Sequence, residues 1–412
     1  MPSYLERFDA AAADQRWPMA RQWLFEEPLP FFAELRQKRP ILVTPQVTLA
    51  TRYSDVNMIL RRFDAFGVDL YKPKQGGYWM AQDDTAQHFR EKSIMKAILD
   101  REQVPAMRQY IASKAAATLA AAHGSMEVVA GLTRAVPIAL VQDWFGFEDS
   151  KTHDLYEWSY WNQTDAFHNQ PFDMAPNAAE IVKQREMVSI GMVAYLGILV
   201  AKKTVEVKVG GGGDSPVARL LRLSFSGALK FDLEQVLFNV GGLLIGAVET
   251  TSHCAVNALQ VLLSRPDMLA AAKAAAASAD TKAFDGFVYE ALRFKPAFPY
   301  FFRTCHTPTE LAGGTPFATT IQPGTTVLAV SHSAMFDEAV FAAPETFDPT
   351  RGVGDEFTFG QGLHECLGRA IGEVMIPEIV RQCLKLPNLA AAGPPDYRDG
   401  GSPEHWTLTW AA

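Results

Sequence analysis

The residues from Asp232 to Ser264 constrain the fold more than any other stretch of the chain. Apolar residues recur there with helical spacing, Asp232 and Gln235 form a cap-like D-x-x-Q at the start, and Arg265-Pro266 ends the run. Roughly thirty residues at ~1.5 Å each predict a helix on the order of 48 Å, long enough to cross the whole molecule. The chain therefore has to fold around one long helix.

This predicted helix contains residues that helix interiors usually avoid. Gly246-Ala-Val-Glu-Thr-Thr251 combines a glycine with two consecutive threonines, and both residue types have low helix propensity. Glu249 also places an acid in an apolar stretch, where its burial is costly. Departures of this kind often mark function. The more ordinary explanation is close helix packing at Gly246 and a threonine that bonds back to a carbonyl.

A second constraint is the glycine-punctuated stretch Phe357–Ala370, which contains Cys366. Three glycines that permit positive φ and close approach of a flat partner are Gly360, Gly362 and Gly368. The pattern from Leu367 onward predicts a helix, so Cys366 is expected at a helix N-terminus, where an anionic sulfur is favoured. Such a thiolate suits haem iron as an axial ligand. A buried small cysteine is the competing interpretation.

The cysteine stretch carries a resemblance to a known family. Four residues fit the pattern F-x-x-G-x-x-x-C-x-G: Phe359, Gly362, Cys366 and Gly368. The chain resembles the haem-thiolate monooxygenases of the cytochrome P-450 family, over nearly its whole length and most strongly from residue 232 to 372. The resemblance implies a mainly α fold with a small β-rich part, in which residues 1–412 form one domain around the long central helix. It also implies non-covalent haem b, with Cys366 as the axial ligand of the iron.

The stretch from Gly246 to Thr250 resembles the family pattern A-G-x-[DE]-T, with glycine and alanine in swapped order. The resemblance implies that Thr250 hydrogen-bonds dioxygen while Glu249 relays protons from solvent. It also makes Gly246, Phe298 and Tyr300 candidates for the substrate pocket.

The resemblance further implies a set of haem contacts. Those of the cysteine loop are His364, Phe359, Gly360 and Gly368, and those on the propionates are His88, Lys92 and Arg303. His88 and Lys92 lie four apart on a predicted helix, Asp84–Leu99. Lysine replaces the arginine expected at this position, which keeps the charge and loses the bidentate grip. A solvated helix face is the alternative for these two residues.

A structural network is expected beside the site. Glu290 and Arg293 are i,i+3 neighbours on a predicted helix and match the family's E-x-x-R, while Arg351 matches its third member. An ordinary surface ion pair is the alternative for Glu290 and Arg293. Residues 334–337 depart from the family, which usually has an arginine there.

Local patterns predict several further elements. Ile41–Thr44 and Val47–Thr51 alternate as a hairpin, and Asp55–Arg62 forms a short helix capped by Ser54. Met126–Phe145 is predicted as a helix. The family resemblance implies a loop at Phe66–Met80 and a strand at Pro296–Arg303. The positive charges of Arg90, Lys96 and Arg101 suit an acidic electron donor, although charge runs are usually only solvated.

Composition excludes several classes of protein. A formal net charge of −8 argues against nucleic-acid binding, and the four cysteines lack C-x-x-C spacing, so a zinc site and a disulfide framework are disfavoured. The N-terminus has no signal pattern, and the longest apolar run, Ile190–Ala201, is short for a membrane span of about twenty residues. A cytoplasmic protein without a membrane anchor is expected.

The predicted reaction is hydroxylation or epoxidation of an apolar small molecule with O2 and two electrons from separate ferredoxin-type partners. Two alternatives remain: a peroxygenase or hydroperoxide isomerase with the same haem-thiolate centre, and a haem-binding sensor without turnover. Glu249 and Thr250 weigh against both, because neither function needs an acid beside an alcohol.

Overall fold

The computed structural model describes residues 2–83, 85–225, 231–352, 354–398 and 400–411. About 59% of the chain is helical, which confirms the predicted mainly α fold with a small β part. The helices are α1 (Tyr4–Ala10), α2 (Ala13–Glu26), α3 (Pro28–Lys38), α4 (Tyr53–Arg61), α5 (Lys72–Gln75), α6 (Thr85–Leu99), α7 (Val104–Ala120), α8 (Ala135–Leu140), α9 (Thr152–His168), α10 (Ala178–Lys208), α11 (Pro216–Phe225), α12 (Leu233–Ala247), α13 (Glu249–Leu263), α14 (Pro266–Ala277), α15 (Thr281–Phe294), α16 (Ser331–Ala334) and α17 (Arg369–Leu384).

Shorter elements complete the fold. Two π-helical segments, Val129–Arg134 and Val141–Phe145, flank α8, and single 3₁₀ turns lie at Trp79–Ala81, Arg101–Gln103 and Gly362–His364. The strands are β1 (Ile41–Val43), β2 (Thr48–Ala50), β3 (Phe66–Gly67), β4 (Ser125–Glu127), β5 (Phe301–Cys305), β6 (Thr309–Leu311), β7 (Thr319–Ile321), β8 (Thr326–Ala329), β9 (Ala390–Ala391) and β10 (Thr407–Thr409).

The chain separates into two compact units. The first comprises the described residues of Met1–Pro73 and Tyr289–Cys366, and the second those of Lys74–Val288 and Leu367–Ala412. That residues 1–412 form one domain stays a prediction.

A five-stranded sheet with the order β1-β2-β8-β5-β3 organises the first unit. The predicted hairpin is confirmed, since β1 pairs antiparallel with β2 and Ile41 lies opposite Ala50. A hydrophobic core on this sheet includes Leu60, Phe66, Phe336 and Phe357, all nearly fully buried. Because Phe357 opens the cysteine loop, the core fixes where that loop begins.

The second unit is a helical assembly, in which α17 packs on α7 and on α13, and α9 packs on α10 and on α12. Its small sheet has the order β4-β10-β9. The predicted helix Met126–Phe145 is wrong at its start, because Met126 pairs with Leu408 of the C-terminal strand. A contact between residues so far apart in sequence leaves no local signal.

Three further local predictions need correction. Helix α4 begins at Tyr53, one residue before the predicted cap Ser54, and the Tyr53 N–H donates to Asp337 Oδ2 at 2.9 Å. A distant carboxylate thus replaces the expected local cap. The loop predicted for Phe66–Met80 contains β3, α5 and the start of a 3₁₀ turn. Helix α6 is confirmed from Thr85; Asp84, its predicted start, lies outside the described residues.

Among the described residues, α10 is long and apolar enough to cross a membrane, by length and composition alone. Its 31 residues include an 18-residue window of mean hydropathy 1.5. The apolar run Ile190–Ala201 predicts too short an apolar segment. The helix continues on both sides through polar and small residues, and the longer window keeps a high mean hydropathy. One side of α10 packs on α9, α11 and α12 through buried residues such as Leu196 and Leu199.

Candidate active site

The cysteine loop lies at the end of the first unit. The Cys366 N–H donates to the carbonyl of Phe359 at 2.9 Å, which closes the loop on itself. Gly360 and Gly362 have φ of +64° and +75°, values that side-chain-bearing residues rarely adopt. A Cβ at Gly362 would also collide with the carbonyl oxygen of Leu60. These two glycines are therefore required by the backbone of the loop.

The predicted position of Cys366 at a helix N-terminus needs correction. Helix α17 begins at Arg369 with Gly368 as its N-cap, two residues beyond the cysteine. Leu367 and the cap residue Gly368 form a turn, so the backbone ahead of the helix is shaped by the glycines and by the bond to Phe359.

Cys366 differs from the other three cysteines in its exposure. None of the four forms a disulfide, and Cys366 alone is partly exposed. Burial raises the pKa of Cys383 to about 12 and raises that of Cys305 above its ordinary value. Buried thiols of this kind stay protonated at neutral pH, so Cys366 is the cysteine best placed to act as a thiolate.

The structure brings Glu290, Arg293 and Arg351 together. Arg293 grips Glu290 with two bonds, Nε to Oε2 at 2.8 Å and Nη2 to Oε1 at 2.7 Å, and both residues are buried. Arg351 Nε lies 3.4 Å from the same Oε1. Arg293 also donates to the carbonyls of Met335 at 3.0 Å and Pro344 at 2.7 Å. The network therefore fixes the chain that leads toward the cysteine loop.

A buried acid, Glu356, adjoins this network. It was not identified from the sequence as a site residue. It is 5% exposed and accepts a bond from Thr358 Oγ1 at 3.2 Å. Burial, reinforced by the charge of Glu290, raises the pKa of Glu356 to about 8. Glu356 is therefore largely protonated at neutral pH, one residue before Phe357.

The remaining candidates of the first unit cluster near β5. The predicted strand Pro296–Arg303 starts too early: β5 begins at Phe301, and Phe298 and Tyr300 precede it, both half-buried. Arg303 is buried and donates from Nη1 to the carbonyl of Phe302 at 2.8 Å. His364 is half-buried in the cysteine loop.

In the second unit, the predicted long helix is broken at Val248. Its start is confirmed, since Asp232 and Gln235 form a capping box. Helix α12 ends at Ala247 and α13 begins at Glu249, with Val248 at φ −89° and ψ −70°. The break falls inside the stretch that departs from helix propensity.

Side chains satisfy carbonyls near this break. The Thr250 hydroxyl donates to the carbonyl of Gly246 at 2.8 Å, and Gln163 Nε2 donates to that of Ile245. The last carbonyls of a helix otherwise lack partners. Gly246 is exposed and a Cβ there would meet nothing within 4 Å, so open space adjoins the break. The Thr250 hydroxyl is exposed as well.

Glu249 is buried and paired with Arg134, which lies on the first π-helical segment. Arg134 reaches Glu249 Oε2 from Nε at 3.0 Å and from Nη2 at 2.8 Å, and its Nη2 also lies 3.2 Å from Glu404 Oε2. Glu249 Oε1 is buried without a hydrogen-bond partner among the described residues. Burial raises the pKa of Glu249, although the charge of Arg134 works against this shift. The buried Glu249 and the half-buried Glu404 thus share one guanidinium.

His88 and Lys92 lie on α6, and both are buried rather than solvated. His88 Nδ1 lies 3.2 Å from the carbonyl of Trp79. A polar network joins α6 to α12, because Glu91 of α6 accepts from Asn239 Nδ2 at 2.8 Å and from Gln235 Nε2 at 3.0 Å.

Sequence reasoning missed Arg134, Glu404, Gln163 and Glu356. Arg134 has a signal in retrospect, as a single cation in the apolar run Val128–Leu140. The other three depend on contacts between distant segments, which leave no local pattern.

Several features of each unit fit a haem. In the first unit, the partly exposed Cys366 ends a loop that contains glycines, and Arg303 is a buried cation. In the second, open space adjoins Gly246 and Thr250, and Lys92 is a second buried cation. A thiol, exposed small residues and buried cations are the groups that suit the iron, the ring face and the propionates of haem.

Comparisons with known proteins agree with this fold. Several solved structures share the fold, among them a cytochrome P-450, CYP109Q5 from Chondromyces apiculatus, with a TM-score of 0.78 and 21% identity, covering 94% of this chain and 96% of that one. CalO2 gives a TM-score of 0.79 at 18% identity, with coverage of 94% and 96%. The sequence model of the cytochrome P-450 family matches residues 219–386.

Curated relatives are bacterial enzymes. The monooxygenase PikC of Streptomyces venezuelae is 27% identical over 76% of this chain and 69% of its own length. The erythromycin C-12 hydroxylase of Saccharopolyspora erythraea is 26% identical over 85% and 86% of the two chains. The chain belongs to the cytochrome P-450 family. It is an oxidoreductase, a haem-thiolate monooxygenase that uses O2.

Proposed function

We propose that this enzyme inserts one oxygen atom of O2 into an apolar small molecule, by hydroxylation or epoxidation, at a haem b held by Cys366. The second oxygen atom leaves as water, with two electrons and two protons consumed. The observation that carries the proposal is the exposure of Cys366, the one cysteine whose thiol is not buried. The haem supplies oxygen activation when bound, with the thiolate favouring O–O cleavage.

The chain's own residues bind and orient this group. Cys366 would ligate the iron, and the side-chain-free positions Gly360 and Gly368 would leave room for the ring, beside Phe359. Propionate partners would be His364, His88, Lys92 and Arg303. The buried cations Lys92 and Arg303 suit carboxylates because charge-assisted hydrogen bonds between a cation and a carboxylate are strong.

Proton handling would fall to Thr250, Glu249 and Arg134. The exposed hydroxyl of Thr250 already donates to the carbonyl of Gly246, so its oxygen is oriented and remains free to accept. Glu249 would carry the proton, since burial raises its pKa and its Oε1 has no partner within the described part of the chain. Arg134 would hold the acid in place and limit how readily it gains a proton.

The proposal extends to substrate contacts and partners. Gly246, Phe298 and Tyr300 would face substrate, and Glu290, Arg293 and Arg351 would keep the cysteine loop in position. Electrons would come from separate ferredoxin-type proteins. The exposed basic residues Arg90, Lys96 and Arg101 would attract such an acidic donor. We place the enzyme in the cytoplasm, as a soluble protein without a membrane anchor.

Turnover with defined oxidants tests this function. The haem-loaded protein is supplied with a compound that converts its ferric spectrum to the high-spin form, and product is measured with NADPH, ferredoxin and ferredoxin reductase. Product that carries label from ¹⁸O2 is expected. Product formed with peroxide but not with O2 and these electron donors would identify a peroxygenase or isomerase, and no product with either oxidant would identify a sensor; both outcomes contradict the proposal.

A further inference from the structure

Helix α10 presents an exposed apolar face to solvent. Its most exposed large residues are Met187 at 48%, Ile190 at 75%, Val193 at 54%, Ile198 at 71% and Val205 at 63%. At 100° per residue these fall on one side, together with three small residues, Ala194, Gly197 and Ala201. We call this set the α10 face. Apolar patches of this length on a soluble protein mark an interaction site.

The α10 face is not needed by the fold of its own unit. The opposite side of α10 is occupied by the buried residues Met192, Leu196 and Leu199, which pack against neighbouring helices. Only 28% of the apolar window is buried. The α10 face therefore remains available to a partner after folding is complete.

Charges at the two ends of the α10 face indicate what that partner is. Glu186 stands eleven residues before Gly197, and Lys208 stands ten residues after Ile198, so opposite charges are nearly equidistant from the centre. Lys183, on the same side of the helix, is offset by Glu180 at 3.7 Å. In two antiparallel copies, Glu186 of each would lie beside Lys208 of the other. Parallel copies would instead place like charges together. We propose that the α10 face binds a second copy of this chain in antiparallel orientation.

The centre of the α10 face suits such packing. Gly197 has nothing within 4 Å of a Cβ built on it. The small residues Ala194 and Ala201 stand on either side, so two helix backbones can approach closely there while Ile190, Ile198 and Val205 interdigitate.

The same residues fit a lipid surface poorly. Helices that lie in the membrane interface carry Trp, Phe or Leu on the apolar face and many Lys and Arg on the polar face. Helix α10 itself contributes no aromatic residue to this face, since Tyr195 is half-buried and donates to the carbonyl of Glu148 at 2.8 Å. The net charge of −8 also opposes an anionic membrane.

The size of the α10 face sets the strength of the contact. From Met187 to Val205 it is roughly 27 Å long and about 10 Å wide, which gives on the order of 300 Å² per copy. Stable complexes bury about 800 Å² per partner. Exposed Phe225, whose ring centroid lies 5.1 Å from Lys208 Nζ, adds to the edge. The dimer is therefore weak and reversible.

Sedimentation velocity of the haem-loaded protein, from low to high micromolar concentration, tests the proposal. A reversible shift from monomer to dimer is expected. Ile198→Lys should weaken association at least about tenfold, because it brings two like charges together at the centre of the contact. The matched control is Met174→Lys, an exposed apolar residue outside α10, which should leave association unchanged.

Charge reversal gives the orientation. Glu186→Lys and Lys208→Glu should each weaken the dimer, and the double variant should restore it. Flotation with phosphatidylcholine–phosphatidylglycerol vesicles tests whether the α10 face binds lipid instead of a second copy. If it binds lipid, Glu186→Lys would strengthen binding to the vesicles. A monomer at every concentration, no effect of Ile198→Lys, failure of the double variant to recover, or binding to vesicles instead would each overturn the proposal.

Discussion

Arg134 holds only one of the two carboxylate oxygens of Glu249. Both of its contacts, at 3.0 and 2.8 Å, are to Oε2, while Oε1 is buried without a partner among the described residues. Burial also raises the pKa of Glu249. An acid held in this way has one oxygen fixed and one free to bind a proton, which is what a proton relay requires.

Glu249→Gln should slow product formation about 100-fold, since a positioned acid–base group contributes at least this much. The amide keeps the shape of the side chain and cannot release a proton. The solvent kinetic isotope effect on turnover should rise. Glu404→Gln is the control: it leaves the Glu249–Arg134 pair in place and should cost less than tenfold. Equal losses in the two variants would contradict a relay through Glu249.

Thr250→Ala should uncouple oxygen consumption from product, because it removes the exposed hydroxyl next to Glu249. The measurement is the ratio of product to NADPH consumed, with peroxide as the side product. Thr251→Ala is a matched control, since this neighbouring threonine is 4% exposed and turned into the fold. If both variants stay fully coupled, Thr250 has no role in oxygen activation.

Arg293→Lys should destabilise the protein by about 3–5 kcal/mol, the cost of leaving a buried acid poorly paired. Lysine keeps the charge and cannot bond Glu290 and two backbone carbonyls at once. Chemical denaturation measures the loss, and the haem spectrum should show a fraction without thiolate ligation. Arg351→Lys should cost less, because Arg351 makes one long contact at 3.4 Å. Similar stabilities of parent and Arg293→Lys would refute the proposed scaffold role.

Glu356→Gln should stabilise the protein in alkaline solution. The pKa of Glu356 is raised from 4.5 to about 8 by burial, so on raising the pH the unfolded chain ionises before the folded one. The parent therefore loses stability between pH 4.5 and about 8, by at most about 5 kcal/mol, and the gap to the variant is fully open above this window. Thermal unfolding of both proteins across this range measures the gap. Parallel pH profiles would contradict a raised pKa.

Local patterns predicted the elements whose residues interact within a short stretch. The Asp232–Gln235 capping box, the first hairpin and α6 from Thr85 onward are all in place because each depends on neighbours in sequence. The break at Val248 was signalled by low propensity and was not located, since two helices joined by one residue have almost the same apolar pattern as one.

Contacts between distant segments explain what could not be predicted. At the start of α4, the hydrogen-bond acceptor is Asp337 and not the predicted cap Ser54. Met126 lies in a strand because it pairs with Leu408. Arg134 could be noticed as a lone cation in an apolar run. Its position between Glu249 and Glu404 depends on three segments that are far apart in sequence. Periodic patterns within one segment carry no information about such a contact.

The central claim is that the thiolate of Cys366 ligates the haem iron, and the absorption spectrum of the dithionite-reduced, carbon-monoxide-bound protein tests it most directly. A strongly red-shifted Soret band is expected in the parent and in Cys305→Ala, whose cysteine is buried. Cys366→Ala should lose this band. A Soret band typical of histidine ligation in the parent, or a red-shifted band that persists in Cys366→Ala, would contradict the assignment.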